Sequence, residues 1–105
     1  MKTFSQRVVE LALKIPKGKV TTYGRIARAA GGGSMASQSI TAILSKAWDE
    51  GKKNIPFHRI VYANGKVWMS PEYEKKRRAL YKKEGIEVDR DGRITNFGDV
   101  VYEFQ

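Results

Sequence analysis

The chain has 105 residues, which is enough for one globular domain and too few for two. It contains no cysteine and one histidine, which excludes disulfide bonds, thiol catalysis and thiolate or multi-histidine metal sites, so we expect no metal and no cofactor. Its net charge of +9 favours a polyanionic partner such as nucleic acid, although a basic surface that serves only solubility would have the same charge.

The N-terminal third is predicted to be helical. Residues 4–15 carry apolar side chains at helical spacing, and a proline and a glycine follow them. Residues 19–21 are predicted to be a short connection. Thr22 is a candidate N-cap for a second helix over residues 23–30, which three consecutive glycines end. None of these segments has the apolar length of a membrane span or a signal peptide, so we expect a cytoplasmic protein without membrane contact.

A third helix is predicted over residues 37–48, and together with the second it indicates a helix-turn-helix. Its exposed positions are mostly serine, threonine and alanine, and no lysine or arginine lies between Arg28 and Lys46. A helix that reads the major groove normally carries long polar side chains, whereas small ones allow the close approach that the narrow minor groove requires. An ordinary amphipathic helix would have the same composition.

The second half of the chain is predicted to add small β elements and one helix. Residues 60–69 resemble a hairpin around an Asn-Gly turn, and residues 86–94 a second short hairpin. Residues 72–84 are predicted to form a charged helix with Tyr73, Leu80 and Tyr81 packing inward. The chain is therefore predicted to be one α+β domain, residues 1–105, with a winged helix-turn-helix.

Four segments resemble the O6-alkylguanine-DNA alkyltransferases, in that family's order. They are GKVTTYGRIA at 18–27, QSITAIL at 38–44, PFHRIV at 56–61 and LYKKEGIEV at 80–88. The third segment alone is a weak signal, but its combination with the other segments at compatible spacing is specific. The resemblance covers roughly residues 3–88 and implies the fold of the family's C-terminal DNA-binding domain.

The position of the family's alkyl-accepting cysteine is occupied by Phe57. A phenyl ring has no nucleophile, so alkyl transfer by this route is excluded. The sequence therefore resembles the alkyltransferase-like proteins, which keep the DNA-binding fold but have another residue, most often tryptophan, at this position. The resemblance implies a non-catalytic, nucleoid-associated monomer that binds double-stranded DNA in the minor groove. It would flip O6-alkylguanine into a pocket and hand the lesion to nucleotide excision repair proteins.

The resemblance also implies roles for single residues. Tyr23 would push the 3′ phosphate, rotate the nucleotide outward and offer its hydroxyl to the flipped guanine; the alternative is a tyrosine that only packs the motif. Gln38 falls where the family has an arginine finger, yet it lacks the charge and stacking plane of a guanidinium. Arg28 or a loop residue could serve instead, or Gln38 could have no special role.

Other candidate residues surround the Phe57 position. His58 and Glu84 match the pair that activates the thiol in the family, and without a thiol they are predicted to be structural. Arg59 is predicted to brace the loop or to contact a phosphate, and Trp68 to border the alkyl group or to lie in the core. The lysine- and arginine-rich helix is predicted to be solvated, although Arg77 aligns with a pocket-side lysine of the family. The predicted lesion pocket comprises Tyr23, Phe57, His58, Ile60, Val61, Trp68 and Ser70, and the predicted DNA contacts are Thr22, Tyr23, Gln38, Ser39 and Arg59.

Two other functions are compatible with the sequence. A general winged-helix module without base flipping would bind damaged and undamaged DNA equally. An enzyme would be either an alkyltransferase whose nucleophile has been replaced or a hydrolase that uses His58 and Glu84.

Overall fold

The computed structural model describes residues 2–33 and 36–104, and its N-terminal part is helical as predicted. Helix α1 runs over Phe4–Leu13 and begins at a capping box, in which the Thr3 hydroxyl accepts from the Gln6 amide and the Gln6 side chain accepts from the Thr3 amide. It ends two residues earlier than predicted, and Ile15 is buried beyond its end.

The predicted helix-turn-helix is present. Helix α2 covers Tyr23–Ala29, and the Thr22 hydroxyl caps it by accepting from the Arg25 amide at 3.2 Å. The predicted third helix begins as a 3₁₀ turn, Ala36–Ser39, and continues as α3, Ile40–Asp49. The turn between α2 and α3 requires glycine, because a Cβ atom on Gly32 would lie 2.8 Å from the Phe4 ring.

The central strands pair differently from the prediction. Strand β1, Thr21–Thr22, lies where a plain connection was expected, and it pairs in parallel with β2, Ile60–Val61. The predicted hairpin over residues 60–69 is therefore wrong. Its Asn-Gly turn does form, and the backbone amide of Tyr62 donates to the Lys66 carbonyl at 2.9 Å. The physical reason is burial: both β2 residues are apolar and face opposite sides of the strand, so each side needs a core, which a solvent-exposed wing does not offer.

Helix α4 spans Glu74–Lys83, two residues shorter at its start than predicted. Only Tyr81 of the three predicted inward residues is buried, while Tyr73 and Leu80 are 46% and 39% exposed. That part of the prediction is wrong because Tyr73 precedes the helix and Leu80 lies about 100° around the helix from Tyr81, away from the core.

The C-terminal region completes the domain. The second predicted hairpin is present as an antiparallel bridge between Val88 and Ile94. Helix α5, Phe97–Val100, follows in a region for which the sequence indicated no element, and Val101 then pairs with Val20 beside β1. One hydrophobic core lies among α1, α2 and α3, and a second lies among β2, α4 and the C-terminal region. Among the described residues, no helix is long and apolar enough to cross a membrane.

Candidate nucleic-acid interface

A buried ionic network holds the 3₁₀ turn Phe57–Arg59 in place. The Glu84 carboxylate, whose side chain is 4% exposed, accepts two hydrogen bonds from the Arg59 guanidinium at 3.0 Å each. It also accepts from the Gly18 amide at 3.0 Å, and it lies 2.8 Å from Nε2 of His58. Glu84, Arg59, His58 and Gly18 form this network, called the brace below. The predicted pair of His58 and Glu84 is thus part of a larger unit.

Electrostatics fixes the protonation states in the brace. Burial raises the pKa of Glu84, but the hydrogen bonds from Arg59, Gly18 and His58 together outweigh burial and lower it from 4.5 to about 2. Burial lowers the pKa of His58, against the opposing effect of Glu84. At neutral pH, Glu84 is therefore ionised and His58 is neutral, so the His58 Nε2–H donates to the carboxylate.

The brace is suited to support and poorly suited to catalysis. Each of the two carboxylate oxygens of Glu84 already accepts two hydrogen bonds from the protein. A carboxylate with a pKa of about 2 is a weak general base at neutral pH. The Arg59 guanidinium also donates to the Ile15 carbonyl at 3.1 Å, and the Tyr81 hydroxyl donates to the His58 carbonyl at 2.7 Å. The backbone of the turn is thus held by side chains on several elements.

Phe57 lies on the outer side of this turn. Its half-buried ring packs against the first hydrophobic core and meets the Trp48 ring edge-on, with centroids 5.5 Å apart. Trp48 lies near the end of α3, and the Lys53 ammonium lies 5.0 Å from its ring centroid. The position of Phe57 is therefore set by an aromatic neighbour and by the brace behind it.

A cleft of about 380 Å³ lies between the first turn of α2 and the 3₁₀ turn that leads into α3. Tyr23 and Tyr62 lie at its edge with ring centroids 5.7 Å apart. Burial raises the pKa of Tyr23, while contact with Thr41 acts in the opposite direction. The Tyr23 hydroxyl is therefore protonated at neutral pH and available as a hydrogen-bond donor. Gln38 also lines the cleft.

A second group of residues lies at the start of α4. Trp68 is 43% exposed, so it is not a core residue, and the Cζ atom of Arg77 lies 5.2 Å from its ring centroid. The centroid of the Tyr73 ring lies 6.3 Å from that of Trp68. The Ser70 hydroxyl oxygen is buried and has no hydrogen-bond partner among residues 2–33 and 36–104. This oxygen has almost no accessible surface, so it would contact a ligand only after a local opening of the structure.

Comparison with known proteins identifies the family. The model of the 6-O-methylguanine DNA methyltransferase DNA-binding domain matches residues 3–86. The chain belongs to this family. A DNA base-flipping protein of Escherichia coli is 38% identical over 93 residues, which cover 88% of this chain and 69% of that protein. Alkyltransferase-like protein 1 of Schizosaccharomyces pombe is 30% identical over 90 residues, which cover 84% of this chain and 81% of the relative.

The same family appears among solved structures. One similar structure is a crystal structure of the S. pombe alkyltransferase-like protein in complex with damaged DNA containing O6-carboxymethylguanine. It superposes on this chain with a TM-score of 0.74 and 25% sequence identity, and the match covers 99% of this chain and 100% of the other. The predicted α+β fold of the alkyltransferase DNA-binding domain is thus confirmed. The sequence contains no cysteine, so the chain is an alkyltransferase-like member of the family without an acceptor thiol.

In this alkyltransferase-like protein, the side chains of several residues predicted to contact DNA or line the pocket make contacts within the protein. Thr22 is buried, and its hydroxyl is used to cap α2. Arg59 donates to Glu84 and to the Ile15 carbonyl, which fits the predicted bracing role. Ile60 and Val61 are 2% and 0% exposed because each fills a different core, so only their backbone is left to line a pocket.

Other predicted residues are accessible in the alkyltransferase-like domain. Gln38 and Ser39 are exposed on the 3₁₀ turn that precedes α3, and Tyr23 is half-buried beside the cleft. Two aromatic residues near the site were not predicted to belong to it: Tyr62, which was assigned to a hairpin, and Trp48, which was assigned only to a helix. The sequence signal for Tyr62 was its place directly after the apolar pair of β2. A bulky ring at that place lies beside β1 and the start of α2.

Proposed function

We propose that this protein binds double-stranded DNA containing O6-alkylguanine in the minor groove, rotates the damaged nucleotide out of the duplex and leaves its alkyl group in place. The observation that carries the proposal is the combination of a braced turn, with Phe57 at the position of the alkyl acceptor, and an accessible tyrosine at the start of the helix-turn-helix. The relatives named above are a base-flipping protein and an alkyltransferase-like protein crystallised with damaged DNA, which supports both parts of the proposal.

Tyr23 is proposed to start the rotation. It lies in the first turn of α2, where free backbone amides and the helix dipole favour a nearby phosphate. Its ring is held in place by Tyr62, and its hydroxyl is protonated. A rigid aromatic side chain at this position is able to press on the backbone of the target nucleotide. Extruding a base costs about a few kcal/mol, least for a damaged base that pairs badly, so the lesion itself favours the flipped state.

The 3₁₀ turn before α3 is proposed to enter the minor groove. Its residues Ala36–Ser39 have small side chains apart from Gln38, so the backbone is able to approach the floor of the groove closely. Gln38 would occupy the space that the flipped base vacates, offering both a donor and an acceptor to the unpaired cytosine. The protein's net charge of +9 supplies the general attraction to the DNA backbone.

The flipped base is proposed to lie between Tyr23 and the turn Phe57–Arg59, with Trp68 and Ser70 at the alkyl end. His58 stays behind the pocket floor as part of the brace, and the backbone carbonyls of Ile60 and Val61 are the proposed acceptors for the guanine amino group. Phe57 contributes an apolar wall and has no atom that takes up an alkyl group. The lesion would therefore remain bound and unrepaired.

The consequence in the cell is proposed to be recognition of the marked site by nucleotide excision repair proteins. A monomer acting in the cytoplasm at the nucleoid would suffice, since one domain spans the proposed site. A protein that holds the lesion without removing it needs a downstream partner to complete repair, and this is the chemical reason for the proposal.

The proposal is tested by binding the protein, at fixed salt, to two duplexes that differ only in guanine or O6-methylguanine, while following the methyl group. We expect tighter binding to the lesion with the methyl group retained. Replacing Tyr23→Ala should reduce the preference for the lesion by roughly tenfold, which corresponds to about 1.4 kcal/mol. Tyr102→Ala is the matched control, because this half-buried tyrosine packs on Phe104 away from the cleft.

Each alternative has a distinct outcome in the same experiment. Equal affinity for both duplexes would contradict base flipping and leave a general winged-helix module. Loss of the methyl group from the DNA would show that the protein is an enzyme.

A further inference from the structure

Arg77 and Trp68 form a cationic aromatic pair beside the proposed pocket. The guanidinium Cζ lies 5.2 Å from the centroid of the Trp68 ring, within the range of an attractive cation–π contact. Trp68 is exposed, whereas Arg77 is half-buried. The tryptophan ring therefore covers one side of the Arg77 guanidinium.

Arg77 differs from the other half-buried arginines in the described part of the chain. Arg25, Arg59 and Arg78 each pair with a carboxylate, at 2.7, 3.0 and 2.9 Å respectively. None of the ion pairs among residues 2–33 and 36–104 includes Arg77. A guanidinium is charged at any physiological pH and presents five donors in a planar fork. Arg77 thus keeps a charge that no acidic side chain neutralises.

The field of Arg77 reaches the proposed pocket. Burial raises the pKa of Tyr23 and of Tyr81, and the positive charge of Arg77 acts against burial at both residues. At His58, where burial lowers the pKa, Arg77 lowers it further. The geometry agrees, because Trp68 and Tyr62 line one cleft and Tyr62 also lines the cleft that holds Tyr23. The unpartnered Ser70 hydroxyl lies two residues after Trp68 in the chain.

We propose that Arg77 and Trp68 form a subsite for a negatively charged O6 substituent, so that the protein binds guanine carrying an O6-carboxyalkyl group more tightly than guanine carrying a neutral group of the same size. The inference rests on the proposed function, because the substituent reaches this subsite only when the base has left the duplex.

The chemistry of the pair fits a carboxylate. A guanidinium binds a carboxylate through two parallel hydrogen bonds, and such charge-assisted bonds are about twice as strong as neutral ones. Stacking on Trp68 fixes the plane of the guanidinium in advance, which lowers the entropic cost of binding. Partial burial also reduces the screening of the charge by water. A neutral substituent would gain the apolar contact with Trp68 and would lose the ion pair.

The test compares four duplexes that carry one guanine, O6-methylguanine, O6-carboxymethylguanine or O6-carbamoylmethylguanine at the same position. The last two substituents have nearly the same size and shape and differ in charge. For the unmodified protein at low salt, we expect the carboxymethyl duplex to bind about tenfold more tightly than the carbamoylmethyl duplex, as a charge-assisted bond gains over a neutral one. The ratio should decrease as salt is added.

Three variants assign the effect to Arg77. Arg77→Gln should bring the ratio of the two affinities to about one while the preference for O6-methylguanine over guanine remains. Arg77→Lys keeps the charge but not the fork, and should give an intermediate ratio. Lys76→Gln removes the same charge from the adjacent exposed position, so it should weaken binding to all four duplexes equally and leave the ratio unchanged.

The outcomes separate the subsite from the function on which it rests. A ratio of one in the unmodified protein, together with a clear preference for O6-methylguanine over guanine, overturns the subsite and leaves the proposed function intact. A ratio that Arg77→Gln does not change also overturns it. Equal affinity for all four duplexes contradicts base recognition itself and the subsite with it.

Discussion

The turn Phe57–Arg59 has an inner side, which faces the body of the protein, and an outer side, which faces solvent. Both sides contain arginine, aromatic rings and hydroxyl groups, but only on the inner side are the charged groups fully paired. On the inner side, the Glu84 carboxylate accepts four hydrogen bonds from the protein. On the outer side, Arg77 lies on the exposed Trp68 ring without a carboxylate partner in the described part of the chain.

The difference shows how a family site is able to keep its shape after losing its chemistry. A saturated network positions the turn and has no free lone pair for catalysis, so it survives the absence of the thiol as a structural element. A surface whose charged and polar side chains lack protein partners remains able to bind a ligand. The comparison yields predictions on both sides, with the largest effects expected in the brace.

Replacing Glu84→Gln should break the inner side. The change leaves Arg59 as a partly buried charge without a carboxylate, and removing one partner of a buried ion pair typically costs about 3–5 kcal/mol. The measurement is the free energy of unfolding in urea at neutral pH. Glu74→Gln is the matched control, because it removes the same charge from an exposed pair with Arg78 on α4 and should cost at most about 0.5 kcal/mol. Similar losses in the two variants would show that the brace is not a special source of stability.

Acid should weaken the same network without any mutation. The pKa of Glu84 is about 2 in the fold against 4.5 for the free side chain, so its contribution is complete above pH 4.5 and is lost as the pH falls towards 2. The loss amounts to about 3 kcal/mol. His58, whose pKa is lowered by burial from 6.5, adds a smaller loss that begins below pH 6.5.

The measurement is the free energy of unfolding as a function of pH. The backbone amide of Arg93 is the main cause of a lowered pKa at Asp89, so Asp89→Asn serves as the control and should retain the large acid-dependent loss. A stability that stays constant from pH 4.5 to pH 3 would contradict the assignment of Glu84.

Some of this arrangement was predictable from the sequence. The helix-turn-helix follows from helical spacing, the Thr22 cap and the glycine run, and these are local signals. The pairing of His58 with Glu84 was predicted only through the family resemblance, since the two residues are 26 positions apart. In the structure the two side chains are in contact, so the resemblance correctly paired residues that are distant in sequence.

The errors came from long-range packing. The apolar pair Ile60 and Val61 was predicted to begin a hairpin, because sequence proximity favours the Asn-Gly turn over a strand about 40 residues earlier. The threonine pair of β1 is polar and carries no sign of burial, yet it lies between the two cores. Likewise, an arginine in a basic helix looks solvated until the fold places a tryptophan beside it, as happens at Arg77.

Substitutions on the outer side should be able to increase the affinity for DNA, in contrast to the fully paired inner side. Gln38 is exposed at the cleft beside Tyr23, and Gln38→Arg adds a charge and a stacking plane where the flipped base leaves a gap. We expect tighter binding to lesion-containing DNA by about 1 kcal/mol, with a steeper dependence on salt by about one phosphate contact. Binding titrations at several salt concentrations measure both effects.

Ser45→Arg is the control for this gain, because it adds the same charge at an exposed position farther along α3. If Gln38 occupies the gap, Gln38→Arg should improve the preference for O6-methylguanine over guanine, since an unpaired base exists only when the nucleotide is flipped. Ser45→Arg should strengthen binding to both duplexes to the same degree. An equal gain from the two variants on both duplexes would mean that position 38 contributes only charge, and that another residue fills the space of the flipped base.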